Sequence, residues 1–277
     1  MERLLVVGFG DIARRAAPLL AARYELIRGS RSDGFDLDTP QTLNPGRVDA
    51  VLHLAPPPGN GDEDTRTANL LGALETRRIL PARVVYVSTS GVYGDCGGAL
   101  VDEARPIAPQ TPRARRRADA ERRLALWCSA RGVALTVLRV PGIYASDRLP
   151  LARLRAATPV LRAEDDVHTN HIHADDLAAI AARALEDDAP QGVYNASDDS
   201  AMRMADWLDL VADRHALPRA PRLPREELRA QVSAELYSFM NESRRLDNRR
   251  LKQGLGVRLM YPTVYEGLRH EHALGVH

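Results

Sequence analysis

Residues 3–15 read RLLVVGFGDIARR. The short branched run RLLVVG (3–8) has the length and composition of a buried strand, and Asp11–Arg23 reads as the helix that follows it. Between them Gly8, Gly10 and Ala13 form a GxGxxA pattern. Glycine at position 8 permits a tight turn, and glycine at 10 lets backbone approach a ligand at the helix N-terminus. A small residue at 13 lets the helix lie close to the sheet. In a strand–turn–helix setting these spacings predict binding of a dinucleotide pyrophosphate, with Asp11 and Ile12 completing the turn.

An acidic residue about 20 positions after the turn would bond a ribose 2′-hydroxyl and repel a 2′-phosphate. Here YELIRGSRS (24–32) carries Arg28, Ser30 and Arg31, and the first carboxylate after the strand is Asp33. Guanidinium groups suit a phosphate, so the sequence favours NADP over NAD.

Further strands are expected at 49–55, 82–89 and 133–140, with helices around 65–78 and from Pro112. That alternation predicts an α/β fold, a doubly wound, Rossmann-like parallel sheet covered on both faces. After residue 197 the pattern turns mostly helical, with LPRAPRLP (217–224) as a proline-interrupted linker. Residues 1–140 plus 166–197 therefore read as a dinucleotide-binding core, with strands near 168–173 and 193–195 returning to the sheet. Residues 141–165 plus 198–277 read as a small substrate lobe.

The chain has 277 residues, 44% of them hydrophobic, and a formal net charge of +1 from 38 basic and 37 acidic residues. That balance argues against a phosphate-backbone grip, so no nucleic-acid partner is expected. Two cysteines, Cys96 and Cys128, make no disulfide framework. Without an apolar leader or membrane-length run, a cytoplasmic protein with no membrane partner and a small-molecule substrate is expected.

The stretch VVYVSTSGVYGD (84–95) resembles the extended short-chain dehydrogenase/reductases, in their epimerase/dehydratase-like branch. DAVLHLAPP (49–57), LRVPGIY (138–144), NHIHADDLA (170–178), GVYNASDD (192–199) and LGVRLMYPTVYEGL (255–268) are similar to further landmarks of that family, in the same order. The GFG turn and ESRRLDNRRLKQGLG (242–256) resemble more narrowly an atypical subgroup, the YeeZ-like proteins, which lack the usual catalytic tyrosine.

The resemblance implies that Leu54, Ala55, Pro56, Ser88, Pro141 and Ile143 line the cofactor. It also implies Thr89 as the serine/threonine of the family's catalytic set. The family's tyrosine and lysine, spaced four apart on the next helix, fall on Arg113 and Arg117 of PQTPRARRRADAE (109–121). Arg117 can still serve as a donor to the cofactor, or pair with Glu121. Arg113 cannot act as an acid–base catalyst, because guanidinium stays protonated and offers donors only.

Tyr93, Tyr144 and the histidines 168, 171 and 173 are the substitute proton carriers to weigh, Tyr93 first. The histidine spacing alternates poorly for a metal, so no metal site is expected, and Asp175 or Asp176 reads as a helix cap. In the extended family the helix that starts at Pro112 here often joins a dimer interface, which makes a homodimer an expectation, with Leu124 and Trp127 as its local support. The sequence leaves an enzyme with a non-standard proton donor beside a non-catalytic dinucleotide-binding protein.

Overall fold

The computed structural model describes residues 1–274. The last three residues of the expected lobe, 275–277, lie outside the described residues. Six strands build the central sheet: β1 (Glu2–Val7), β2 (Tyr24–Gly29), β3 (Ala50–His53), β4 (Arg83–Thr89), β5 (Ala134–Val140) and β6 (Gly192–Asn195). All five pairings are parallel, in the spatial order 2-1-3-4-5-6. The doubly wound expectation holds.

The longer helices among the described residues are α1 (Asp11–Leu20), α2 (Thr65–Thr76), α3 (Pro112–Ser129), α4 (Ala174–Arg183), α5 (Met204–Arg214) and α6 (Val264–Leu274). Helix α1 packs against α4, and α2 against α3. Alternation along β1 sends Leu4 and Val6 to the α1/α4 side, with Ala13, Ala16 and Ile180. Leu5 and Val7 go to the other side, with Leu70, Leu74 and Leu124. Each fully buried leucine or valine on these faces contributes about 1.5–3 kcal/mol.

The order in which strands are added to the sheet reverses between β1 and β3, which opens a crevice at the carboxyl ends of these parallel strands. Residues 31–48 hold only two single-turn 3₁₀ segments, Arg31–Asp33 and Pro40–Thr42, and no strand, which leaves β2 as the sheet edge.

Residues 168–173 do not return to the central sheet as expected. His168–Thr169 pairs antiparallel with Met202–Arg203, and His171–His173 pairs parallel with Gly142–Tyr144. A third apolar cluster, including Tyr144, Leu154, Trp207, Leu208 and Val264, packs beside this ribbon. The proline-rich 217–224 stretch contributes Arg222–Leu223, paired with Val160–Leu161. Leu251, Leu255 and Leu259 instead join the α1/α4 side of the sheet.

Leu124 and Trp127 are buried in the core, so they offer no surface for a second copy. Three of the six arginines of α3 are ion-paired within the chain: Arg115 with Asp62, Arg122 with Asp119, and Arg123 with Asp119 and Glu63. Among the described residues no helix is long and apolar enough to cross a membrane.

Candidate functional site

The turn after β1 is fixed by close backbone approach. Gly8 has φ +89°, and a Cβ there would lie 2.6 Å from the Ala55 nitrogen and 2.7 Å from its Cα. Gly10 caps α1 without a side-chain hydrogen bond, and a Cβ built on it meets nothing within 4 Å. The first N–H groups of α1 therefore face open crevice, a setting that favours an anion. Asp11 in that first turn is held by Arg15 and by Arg148, each at 3.0 Å.

Three cavities follow one another from this turn. The first, about 320 Å³, runs past Ser30, Arg31, Ala55 and Pro56. The second, about 290 Å³, is lined by Asp11, Ile12, Ser88, Arg117, Pro141 and Ile143. Gly8, Gly10 and Leu54 border both. The third, about 420 Å³, shares Thr89, Arg113, Pro141, Ile143 and Arg148 with the second. Every cofactor residue expected from sequence borders this line except Arg28, whose guanidinium lies over the Phe9 ring at 4.7 Å, beside it. Ser30 is engaged by the Asp33 carboxylate.

Sequence reasoning missed several contributors. Asp36 and Arg66 border the first cavity, and Arg66 is bound to Asp38 at 2.8 Å and to the Pro56 carbonyl. Trp207, Phe239, Glu242 and Arg244 line the third. They reach the site from the C-terminal third through the fold; Glu242 and Arg244 open the 242–256 stretch that carried the subgroup resemblance, and no motif marks Trp207 or Phe239.

Thr89 ends β4 half-buried between the second and third cavities, and its Oγ1 accepts the Gly91 N–H at 3.2 Å. Its own proton is left to donate into the cleft. Tyr93 is not in the cleft. A 3₁₀ turn at Ser90–Tyr93 carries it inward, where its hydroxyl donates to Asn195 Oδ1 at 2.8 Å and burial raises its pKa. This placement removes it as a proton carrier for the cleft.

Helix α3 starts at Pro112 as the sequence indicated, and Thr111 caps it, its Oγ1 accepting the Ala114 N–H at 3.2 Å. Arg113 and Arg117 both border the second cavity. Arg117 is clamped through one nitrogen, Nη1, which donates to the carbonyls of Val87 (2.9 Å) and Ala55 (3.3 Å) and to the Tyr86 hydroxyl (3.1 Å). The expected Arg117–Glu121 pair does not form. Glu121 turns under the sheet instead, accepting Ser88 Oγ at 2.5 Å and Arg139 Nη2 at 2.8 Å. The Ser88 hydroxyl is thus used inside the protein.

His173, and neither Asp175 nor Asp176, caps α4, its Nδ1 accepting the Asp175 N–H at 3.2 Å. Asp176 accepts the backbone N–H groups of Met260 and Tyr261. His171 is buried against Trp207 and Tyr144 on the wall of the third cavity, and burial drops its pKa to about 3, so it is neutral. The His171 carbonyl accepts the Asp198 N–H at 2.7 Å.

Asp198 itself is buried, and desolvation, with Asp199 and Asp176 nearby, raises its pKa from 3.8 to about 8. Folding thus favours its protonated form. That contribution is complete below about pH 4 and is lost as pH rises through 8. Asp198→Asn, which fixes the neutral form, is expected to melt near wild type at pH 4 and several degrees higher at pH 8, at about 2–4 °C per kcal/mol. Melting curves across that range test this, and a pH-independent difference would overturn it.

The cleft therefore combines an anion-receptive helix N-terminus, a donor hydroxyl and two fixed guanidinium groups. It can orient a polarised oxygen and hold negative charge, but neither arginine can carry a proton.

The model of the NAD dependent epimerase/dehydratase family matches residues 21–197. No curated protein matches the sequence. Among solved structures, a functionally unknown conserved protein from Silicibacter pomeroyi shares 30% identity, with 99% of each chain covered and a TM-score of 0.80. RMD from Pseudomonas aeruginosa, complexed with NADPH, shares 21% identity over 99% of this chain and 98% of its own, with a TM-score of 0.75. The UDP-glucose 4-epimerase of Thermus thermophilus, in complex with NAD, shares 20% identity over the whole of both chains, with a TM-score of 0.73. With that match spanning more than half its length on the same six-stranded fold, this chain belongs to the NAD dependent epimerase/dehydratase family.

Proposed function

We propose that the protein binds NADP in preference to NAD and acts as an oxidoreductase or epimerase-like enzyme. In this reading Arg113 and Arg117 replace the family's tyrosine and lysine, in keeping with the resemblance to the YeeZ-like subgroup. The observation that carries the reading is the line of three cavities joined by shared residues, from the arginine-flanked edge at β2 to Thr89 and beyond. An extended dinucleotide fits the first two, with substrate in the third. The glycine turn fits such a ligand, because Gly8 seats the turn on Ala55 and Gly10 leaves the helix N-terminus open.

When bound, the nicotinamide would supply or accept hydride. Thr89 donates its hydroxyl to the substrate oxygen. Arg113 places fixed positive charge beside that oxygen, lowering the cost of alkoxide character in the transition state. Arg117, immobilised through Nη1, keeps its remaining N–H groups for a ribose hydroxyl. The proton that balances hydride transfer comes from solvent.

The solved relatives carry NADPH in one case and NAD in another, so the preference rests on this chain's own residues. Arg28 and Arg31 have no ion pair among the described residues. Calorimetric titration is expected to show NADPH binding more tightly than NADH. Arg28→Ala and Arg31→Ala should each weaken NADPH about tenfold, roughly 1.4 kcal/mol, and leave NADH unchanged. Equal affinity for the two nucleotides would overturn the preference, and binding of neither would overturn the dinucleotide reading.

One observation favours a second reading, a non-catalytic dinucleotide-binding sensor or scaffold: Tyr93 is turned inward to Asn195, and Tyr144, which borders the third cavity, is buried with its hydroxyl donating to the Thr263 carbonyl at 3.3 Å. Tight NADPH binding without turnover over a broad carbonyl panel, with activity appearing in Arg113→Tyr/Arg117→Lys, would decide for it.

A further inference from the structure

The third cavity has an unusual charge balance. Three guanidinium groups line it. Arg244 is paired with Glu242 at 2.8 Å, and Arg148 with Asp11 at 3.0 Å. Arg113 has no hydrogen bond or ion pair to any described residue, and lies half-buried over the Phe239 ring at 3.7 Å. His168 and His171 also line the cavity, and burial pushes both below the ordinary histidine range, so neither adds charge at neutral pH. Arg113 is thus the one guanidinium of the three without an ion pair among the described residues, with Glu242 and Glu235 acting on it only through space.

An unpaired, partly desolvated cation is costly, and an anion that enters beside it recovers that cost. The Phe239 ring covers one face of the guanidinium and leaves the in-plane N–H groups for a ligand, the geometry that suits a planar carboxylate. A single unpaired guanidinium matches a monoanion. A phosphate monoester would bring a second, unmatched negative charge.

A second observation specifies the rest of the ligand. Buried polar atoms without a partner gather on this wall: Glu242 Oε1, Arg244 Nε, and Nδ1 of His168 and His171. An ionised Glu242 oxygen only accepts and an arginine nitrogen only donates, so the ligand needs groups that do both, which hydroxyls do. Buried polar atoms left unsatisfied are expensive, so their concentration on one cavity points to a ligand that satisfies them.

We propose that the third cavity takes a hydroxylated carboxylic acid of the aldonate or uronate type, its carboxylate on Arg113 and its hydroxyls on Glu242 and Arg244. This deepens the reading above and rests on it only for naming the third cavity as the substrate's.

The test titrates the full chain, with and without NADPH, with sodium D-glucuronate, sodium D-gluconate, D-glucose and sodium acetate. Glucose keeps the hydroxyls without the charge, and acetate the charge without the hydroxyls. At least one of the two acids is expected to bind at least tenfold tighter than both controls. Arg113→Gln should erase the advantage over glucose, Arg113→Lys should restore part of it, and Glu242→Gln should narrow the advantage over acetate. Both acids binding no tighter than glucose, or an advantage that survives in Arg113→Gln, would overturn the proposal. The wild-type comparison decides even where a variant fails to fold. Absence of NADPH binding in the same experiment would sink the cofactor reading and leave the acid-to-glucose ratio readable.

Discussion

Glu121→Ala is expected to destabilise the protein by about 3–5 kcal/mol, the range for breaking a buried ion pair from one side. Glu121 and Arg139 are both almost fully buried, and the guanidinium already has one nitrogen, Nη1, without a partner. Removing the carboxylate leaves that charge uncompensated between α3 and the sheet, and takes the acceptor from Ser88 Oγ as well. At about 2–4 °C per kcal/mol, Tm should fall by roughly 10 °C.

The consequence reaches the cleft, because the pair ties α3 to β4 and β5 one turn beyond Arg117. NADPH affinity should therefore drop along with stability. Glu121→Leu combined with Arg139→Met, which removes both charges and keeps volume, should recover most of the loss, since replacing a whole buried pair by apolar groups is often neutral. Thermal melts of the single and double variants measure this. A double variant no more stable than Glu121→Ala would show that Ser88 or the packing, and not the ion pair, seats the helix.

The central sheet was legible because its strands are short branched runs bounded by turn residues and separated by helix-length patterns. Gly8 and Gly10 were legible for a related reason: few residue types can occupy a close backbone approach. Side-chain direction after a strand was not. Tyr93 follows Thr89 by four residues, and only the single 3₁₀ turn between them decides that it points to Asn195 and away from the cleft. Glu121 was read as a partner for Arg117 from helical spacing alone, whereas the buried Arg139 of a neighbouring strand outcompetes it. Residues 168–173 look like a core strand by composition, yet they pair with Gly142–Tyr144 and Met202–Arg203 outside the sheet, a choice set by partners distant in sequence. Arg148 and Arg244 could not be told apart from the other arginines in a chain whose basic residues are nearly all arginine. What distinguishes them is which charges are already paired, and only the fold reveals that.

The two glycines of the turn should separate when each is changed to alanine. At Gly8 the added Cβ would lie 2.6–2.7 Å from the backbone of Ala55, at a φ of +89° that costs a side chain about 1–3 kcal/mol by itself. The backbone cannot easily move aside. Gly8 N–H donates to the Gly29 carbonyl at 2.8 Å, and the Leu54 N–H donates to the Val7 carbonyl at 2.8 Å, so retreat would break the ladder that joins β1 to its neighbours. Gly8→Ala should thus lose about 3–5 kcal/mol, with NADPH binding lost as well. At Gly10 the added methyl meets no protein atom, so Gly10→Ala should melt within a degree or two of wild type, or slightly higher. Its methyl nevertheless stands over the N-terminus of α1, where a pyrophosphate needs close backbone approach, so NADPH affinity should fall at least tenfold. One substitution is a folding defect and the other a binding defect, and calorimetry beside melting curves separates them. A Gly10→Ala protein that binds NADPH as wild type does would mean that the phosphates do not cross this helix end.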